Sequence, residues 1–157
     1  MFNIVLHEPE IPNNTGTIGR ICVNMGAKLH LIKPLGFEIN ESRLRRAGLD
    51  YWEKLNPTVY ENFDEFLKKN PFQDRFFFTT AKTDKPYFKA IFKEGDYFIF
   101  GKESEGLPTK ILNLNPSHNI TIPKTVEGRS LNIGVSVGII SSEWMRQNYD
   151  FFLSNLF

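Results

Sequence analysis

Short apolar runs alternate with helical patterns along this chain, and no other feature limits its fold as much. A strand buried on both faces is a nearly unbroken hydrophobic run, and such runs separated by helices build a parallel α/β sheet. Residues 2–6 are the first run. A turn over 8–15, rich in Pro and Asn, leads into a helix from about Thr15 to Met25. There Ile18, Ile21, Cys22 and Met25 share one face at i, i+3, i+4 and i+7, and Gly26 ends the helix. Residues 28–33 alternate as a second strand. Ser42 predicts the cap of a short helix carrying Leu44 and Ala47, closed by Gly48.

Further along, the pattern predicts a strand at 58–60, a helix at 62–69, and strands at 75–80 and 96–100, the last closed by Gly101. A short helix over 107–114 has Pro108 in its first turn, where proline is tolerated. Residues 119–122 form the last strand. Ser130 or a neighbour then caps a long helix reaching about Asn148, and the apolar tail Phe151-Phe152-Leu153 docks on the body. With 157 residues the chain is expected to be one domain, 1–157, and its 15 phenylalanines predict an aromatic core.

Charge and cysteine content exclude several function classes. The formal net charge is +1, so any surface for nucleic acid must be local. Cys22 is the single cysteine, which rules out an intrachain disulfide or a Cys-based metal site. His7, His30 and His118 lack ligand spacing, so no metal is expected. The first eight residues do not resemble a signal peptide, and no apolar run suits a bilayer span. A cytoplasmic protein with no membrane partner is the expectation.

In open parallel sheets ligands bind beyond the carboxyl ends of the strands, which draws attention to three segments. The first is Pro12-Asn13-Asn14-Thr15-Gly16-Thr17-Ile18-Gly19-Arg20. Helix capping explains Asn14 to Gly19, since Asn and Thr oxygens satisfy orphan amides. It does not explain Arg20, which one turn into a helix would face a positive dipole end and so suggests phosphate or carboxylate binding. The second runs from Phe98 to Pro108. Gly101 would let the backbone approach a flat ligand, although an ordinary strand-to-helix connection has the same look. Gly101 and Gly106 have Walker spacing, but Leu107-Pro108 stands where Lys-Ser/Thr is required, so a P-loop is excluded. The third runs from Ile120 through Ser130, Leu131 and Asn132 to Gly138. Its polar loop enters a helix N-terminus suited to an anion, and Gly134, Gly138 and Ser142 make a stripe that admits another backbone.

Taken in this order, the three segments resemble the SPOUT methyltransferases, and within them the SpoU-type 2′-O-methyltransferases. Phe2-Asn3-Ile4-Val5-Leu6, Glu8-Pro9-Glu10-Ile11-Pro12, Asn14-Thr15-Gly16 and Arg43-Leu44-Arg45-Arg46-Ala47-Gly48-Leu49-Asp50-Tyr51 are similar to the short TrmL/YibK-like tRNA methyltransferases, over essentially the whole chain. The resemblance implies an α/β knot fold with a deep C-terminal trefoil knot, a homodimer joined through its first and last helices, and S-adenosylmethionine as cofactor. By position it places Phe78, Thr79, Gly101, Glu103, Ile122, Ser130 and Leu131 at the cofactor. It implies the ribose 2′-OH of the wobble nucleotide, position 34, in certain tRNAs as the methyl acceptor. Arg20 is the implied activating residue, with Asn14, Ser130 and Asn132 orienting the reacting groups.

Arg43, Arg45, Arg46 and Arg20 supply local positive charge, which positions RNA through phosphates. Tyr51 and Trp52 either stack an unpaired anticodon-loop base or pack into the core. Close relatives often carry a tyrosine where this chain has Ser142, which bears on substrate choice. Other readings are a 2′-O-methyltransferase for another tRNA or rRNA site, a non-catalytic RNA-binding protein of the same fold, and a flavodoxin-like nucleotide-binding domain.

Overall fold

A computed structural model describes residues 1–39, 42, 51–71 and 73–155. It contains one six-stranded sheet whose ladders are all parallel, in the order β3-β2-β1-β5-β4-β6. The strands are β1 (Asn3–His7), β2 (Lys28–Ile32), β3 (Thr58–Tyr60), β4 (Phe76–Thr79), β5 (Tyr97–Phe100) and β6 (Asn119–Ile120). The helices are α1 (Pro12–Met25), α2 (Trp52–Leu55), α3 (Phe63–Lys69), α4 (Thr109–Leu112), α5 (Ile133–Gln147) and α6 (Tyr149–Leu153). The chain steps outward from β1 to β3, returns to lay down β4, and inserts β5 between β4 and β1. That reversal is where an open α/β sheet presents a crevice to ligands.

Side chains on a strand alternate between faces, and the core divides accordingly. Ile4, Leu6, Leu29, Leu31, Phe77, Phe98 and Phe100 pack with Ile18 and Cys22 of α1 and Val137, Ile140 and Trp144 of α5. Val5, Ile32, Phe76, Phe78, Tyr97 and Ile99 pack on the other face with Phe66 of α3 and Ile111 and Leu112 of α4. Each wholly buried Phe or Ile contributes about 1.5–3 kcal/mol from area removed from water. Trp144 lies 4.4 Å from Phe2 between ring centroids, and Phe151 of α6 meets Trp144 edge-on, so the apolar tail docks as predicted. Burial in this core pushes the Cys22 thiol up to about 12.

Several boundaries differ from the sequence reading. The first helix begins at Pro12, not Thr15: proline fills its first turn, where no N–H is needed, and Ile11 is its extended N-cap without a side-chain cap. Arg20 therefore sits in the third turn, away from the dipole end that sequence placed it near. Asn132, a near neighbour of Ser130, caps α5, its side chain accepting from Gly134 N at 2.8 Å. The last strand stops at Ile120 because Thr121 leaves it to pair with Pro86 as an isolated parallel bridge. Gly26 ends α1 in the left-handed conformation (φ 66°), as predicted. The helix expected after Ser42, with Leu44, Ala47 and Gly48, lies outside the described residues.

The Gly134/Gly138 stripe is used within the chain. A Cβ on Gly134 would lie 3.3 Å from Thr17 Cγ2, and one on Gly138 would lie 3.8 Å from Ile21 Cδ1. The close neighbour of both glycines is thus α1 of the same chain.

A polar chain crosses the second core. Asn3 Nδ2 donates to the Asp96 carbonyl, leaving its Oδ1 to accept from His30 Nε2 at 3.1 Å. His30 Nδ1 must then accept, from Tyr60 Oη at 2.9 Å, and Tyr60 Oη accepts from Asn70 Nδ2. Tyr97 Oη completes the chain by donating to Asn70 Oδ1. The set is satisfied only with His30 neutral. Burial, and secondarily Lys28, lowers its pKa to about 4. Among the described residues no helix is long and apolar enough to cross a membrane, and no group of three or more His, Cys, Asp or Glu is placed to hold a metal.

Candidate active site

The site begins where β1 ends. The chain turns at Glu8 with φ 53° and reaches α1, whose first turn holds neither an acidic residue nor a side-chain cap. The β5 loop supplies the missing carboxylate. Glu103 accepts from Glu10 N at 2.8 Å, Ile11 N at 3.2 Å and Asn14 Nδ2 at 3.2 Å. An anion there binds the two amides that lead into α1 and complements the helix dipole. In return, Glu10 accepts from Ser104 N at 2.9 Å and Ser104 Oγ at 2.8 Å, bonds that hold its carboxyl below the usual carboxylate range. Glu103 thus joins two loops. Both its oxygens are engaged by protein.

Asn14 carries the connection onward. Its Nδ2 donates to Glu103 and its Oδ1 accepts from Asn132 Nδ2 at 2.9 Å. Asn132 Oδ1 in turn accepts from Gly134 N. The carboxylate at one end only accepts and the amide N–H at the other only donates, so both Asn side chains have one permitted orientation. All three segments singled out in the sequence meet in this chain of bonds. Sequence reasoning missed Glu10 and Ser104 as partners, because they lie 94 residues apart and neither has a local signal.

Beside this junction lie the carboxyl ends of β4, β5 and β6. Thr79 Oγ1 donates to the Ile99 carbonyl at 3.0 Å, and Thr80 N donates to the Ile120 carbonyl. Phe78 has no exposed side-chain surface, and its ring packs in the core with Phe76. A Cβ on Gly101 would fall 2.1 Å from Gly106 C and 2.2 Å from Leu107 N. The space that a Cβ would need is filled by the loop folding back on itself, helped by Gly106 at φ 70°. Ile122 is half-buried, Ser130 is exposed and Leu131 is 49% exposed.

Arg20 is exposed, with its guanidinium 5.6 Å from the Tyr51 ring centroid. Tyr51 is half-buried, and its hydroxyl donates to the Gly16 carbonyl at 2.6 Å. A Cβ on Gly19 would meet Leu55 at 2.9 Å and Tyr51 at 3.4 Å, so α1 lacks side chains where Tyr51, Trp52 and Leu55 lean on it. Trp52 packs against the core, and Tyr51 holds the base of Arg20. Arg43, Arg45 and Arg46 lie outside the described residues. His7 closes β1 as a buried side chain, its pKa lowered chiefly by burial.

Comparison with known proteins places this geometry. The model of the SpoU rRNA Methylase family matches residues 1–142. The tRNA (cytidine(34)-2′-O)-methyltransferase of Saccharophagus degradans is 45% identical over 148 residues, covering 94% of this chain and 96% of the relative. A solved structure described as "Structural insights into the 2-OH methylation of C/U34 on tRNA" superposes with a TM-score of 0.87 at 40% identity, covering 96% of this chain and 97% of that one. The SpoU methyltransferase AviRb of Streptomyces viridochromogenes, solved in complex with AdoMet, shares the fold, with a TM-score of 0.83 and 19% identity over 94% of this chain and 57% of its own. By sequence and by fold the chain belongs to the SpoU methylase family.

Proposed function

We propose that this protein is an S-adenosylmethionine-dependent methyltransferase acting on the ribose 2′-OH of the wobble nucleotide, position 34, of tRNA. The observation that carries the reading is the Glu103–Asn14–Asn132 chain, which brings the first, second and third segments to one place in a chain 45% identical to a tRNA (cytidine(34)-2′-O)-methyltransferase. Ile122, Ser130 and Leu131, with the main chain of the loops after Thr79 and Phe100, would hold the cofactor, which supplies an activated methyl group. The half-buried Ile122 and the partly exposed Leu131 offer apolar surface to its adenosine portion.

The chain's own residues then orient and stabilise. Positioning an acceptor oxygen in line with a methyl group accounts for much of the rate of such a transfer. A guanidinium does not serve as a base in proteins, so the role of Arg20 is to bind a substrate phosphate and stabilise charge developing on the 2′-oxygen. Tyr51 keeps the guanidinium over its ring. Asn14 and Asn132 fix α1 against the start of α5, and so fix Arg20 relative to Ser130.

The same reading takes the protein to be a cytoplasmic homodimer with a knotted C-terminal half. Apolar side chains left open on and before α5, Val135 at 51% and Leu131 at 49%, support a second subunit there.

The test is incubation with radiolabelled S-adenosylmethionine and total tRNA lacking the wobble modification, followed by mapping of the label. Label on the 2′-oxygen of nucleotide 34 is expected. Label elsewhere on tRNA or on rRNA keeps the chemistry and discards the target. Cofactor binding with RNA binding but no label on any RNA would favour a non-catalytic RNA-binding protein.

A further inference from the structure

The connection between β4 and β5 carries an unusual stretch over residues 82–93. Within it Lys82, Lys85, Lys89 and Lys93 stand against the single acidic residue Asp84, in a chain whose formal net charge is +1. Phe88 is 50% exposed and Ile91 76% exposed, while Tyr87, Ala90 and Phe92 between them turn inward to the first core.

The backbone that holds them out is tied at both ends. Tyr87 N donates to the Thr121 carbonyl and Thr121 N donates to the Lys85 carbonyl, both at 2.9 Å. Gln147 Oε1 accepts from Phe92 N at 2.8 Å and Gln147 Nε2 donates to the Ala90 carbonyl at 3.0 Å. Trp144 Nε1 donates to the Lys93 carbonyl at 2.9 Å. Lys85 is occupied, donating to the Ser117 carbonyl. Lys82 and Lys89 are exposed and form no ion pair among the described residues.

We propose that this segment is an RNA-contact platform, with Phe88 and Ile91 taking the face of an unpaired base and Lys82 and Lys89 taking phosphates. The inference rests on the tRNA reading above. Charge selects the occupant: two lysines without ion pairs flank an outward aromatic ring on a fixed backbone, the combination that binds single-stranded nucleic acid with little sequence preference. Its place is apt as well. Thr121, which pins the platform, directly precedes Ile122 at the cofactor position, so RNA lying along 82–91 passes beside the reacting groups.

The experiment compares wild type with K82E/K89E and with F88A in tRNA binding across a salt series, with cofactor affinity and molecular mass measured alongside. The lysine pair variant should bind tRNA about tenfold more weakly at low salt, with a salt slope smaller by about 1.5, as expected for two lost phosphate contacts to unpaired RNA. F88A should also lose about tenfold, with its salt slope unchanged. Cofactor affinity and mass should not move in either. Wild-type binding retained in both variants would overturn the platform and leave the tRNA reading intact. A lower mass for F88A would overturn it in favour of a contact between copies of this chain. Wild type that neither binds nor methylates tRNA would overturn both.

Discussion

Asn132 Nδ2 donates to Asn14 Oδ1 at 2.9 Å across 118 residues of sequence. Each asparagine makes a second bond as well. Asn14 donates to Glu103, and Asn132 caps α5 through Gly134 N. The bond between them therefore couples the start of the helix that carries Arg20 to the start of the helix that follows Ser130 and Leu131. Replacing Asn132 by Ala should cost about 1 kcal/mol from the lost cap and reduce methyl transfer by more than the stability loss explains. A double-mutant cycle with Asn14→Ala should give a coupling of about 0.5–3 kcal/mol in transition-state stabilisation. Strictly additive effects in kcat/KM would show that the bond has no part in the reaction.

Arg20→Ala should abolish methyl transfer and leave cofactor binding intact, because the guanidinium of this α1 residue lies over the Tyr51 ring rather than among Ile122, Ser130 and Leu131. Arg20→Lys should recover little, since an ammonium cannot reproduce planar contact with both ring and phosphate. Single-turnover assays beside cofactor titration check both. Wild-type turnover by the alanine variant would remove Arg20 from the chemistry.

Gly101→Ala tests the close turn of the β5 loop. The added methyl would lie 2.1 Å from backbone carbon, so the loop must open. Opening it displaces Glu103 and Ser104 together. A loss of at least about 2 kcal/mol in stability is expected, with a larger loss in cofactor affinity than Thr79→Ala produces. Denaturant melts and calorimetric titration measure the two.

His30 makes stability depend on pH. Its pKa is about 4 in the fold against 6.5 as the ordinary value, so the unfolded chain binds the extra proton first as pH falls. The contribution is fully present above about pH 6.5 and is lost progressively down to about pH 4, a term on the order of 3 kcal/mol. Asp96, whose pKa burial raises, acts with the opposite sign at the acid end of this window. The informative quantity is thus the difference between wild type and His30→Gln, which should shrink as pH falls from 7 to 4.5. A constant difference in thermal midpoint over that range would show that His30 does not titrate there.

Much of this architecture was legible beforehand. Short apolar runs and the turn residues predicted β1 to β5 within a residue or two, and the parallel sheet followed from the alternation of those runs with helices. The three segments were also found in sequence, because glycines and amide side chains at strand ends are a local signal. Boundaries were missed where a partner far along the chain decides them. Pro12 opens α1 without a local cap because Glu103 supplies the carboxylate from the β5 loop, and no window around Pro12 contains that information. Tyr51 and Trp52 divide between packing and support of Arg20 for the same reason: what they touch is the bare face of α1 at Gly16 and Gly19.

By itself, then, the sequence determined where strands and helices run, which faces are apolar and which segments hold the reactive residue types. These follow from backbone preference and side-chain period, which act between near neighbours. Tertiary structure alone decided what those residues do to one another. It assigned Glu103 to the end of α1, filled the space beside Gly101 with the chain's own backbone, laid α1 along the Gly134 stripe and joined Asn14 to Asn132. Each of these is a contact between groups distant in sequence, set by the order β3-β2-β1-β5-β4-β6 that brings the loops after β1 and β5 side by side.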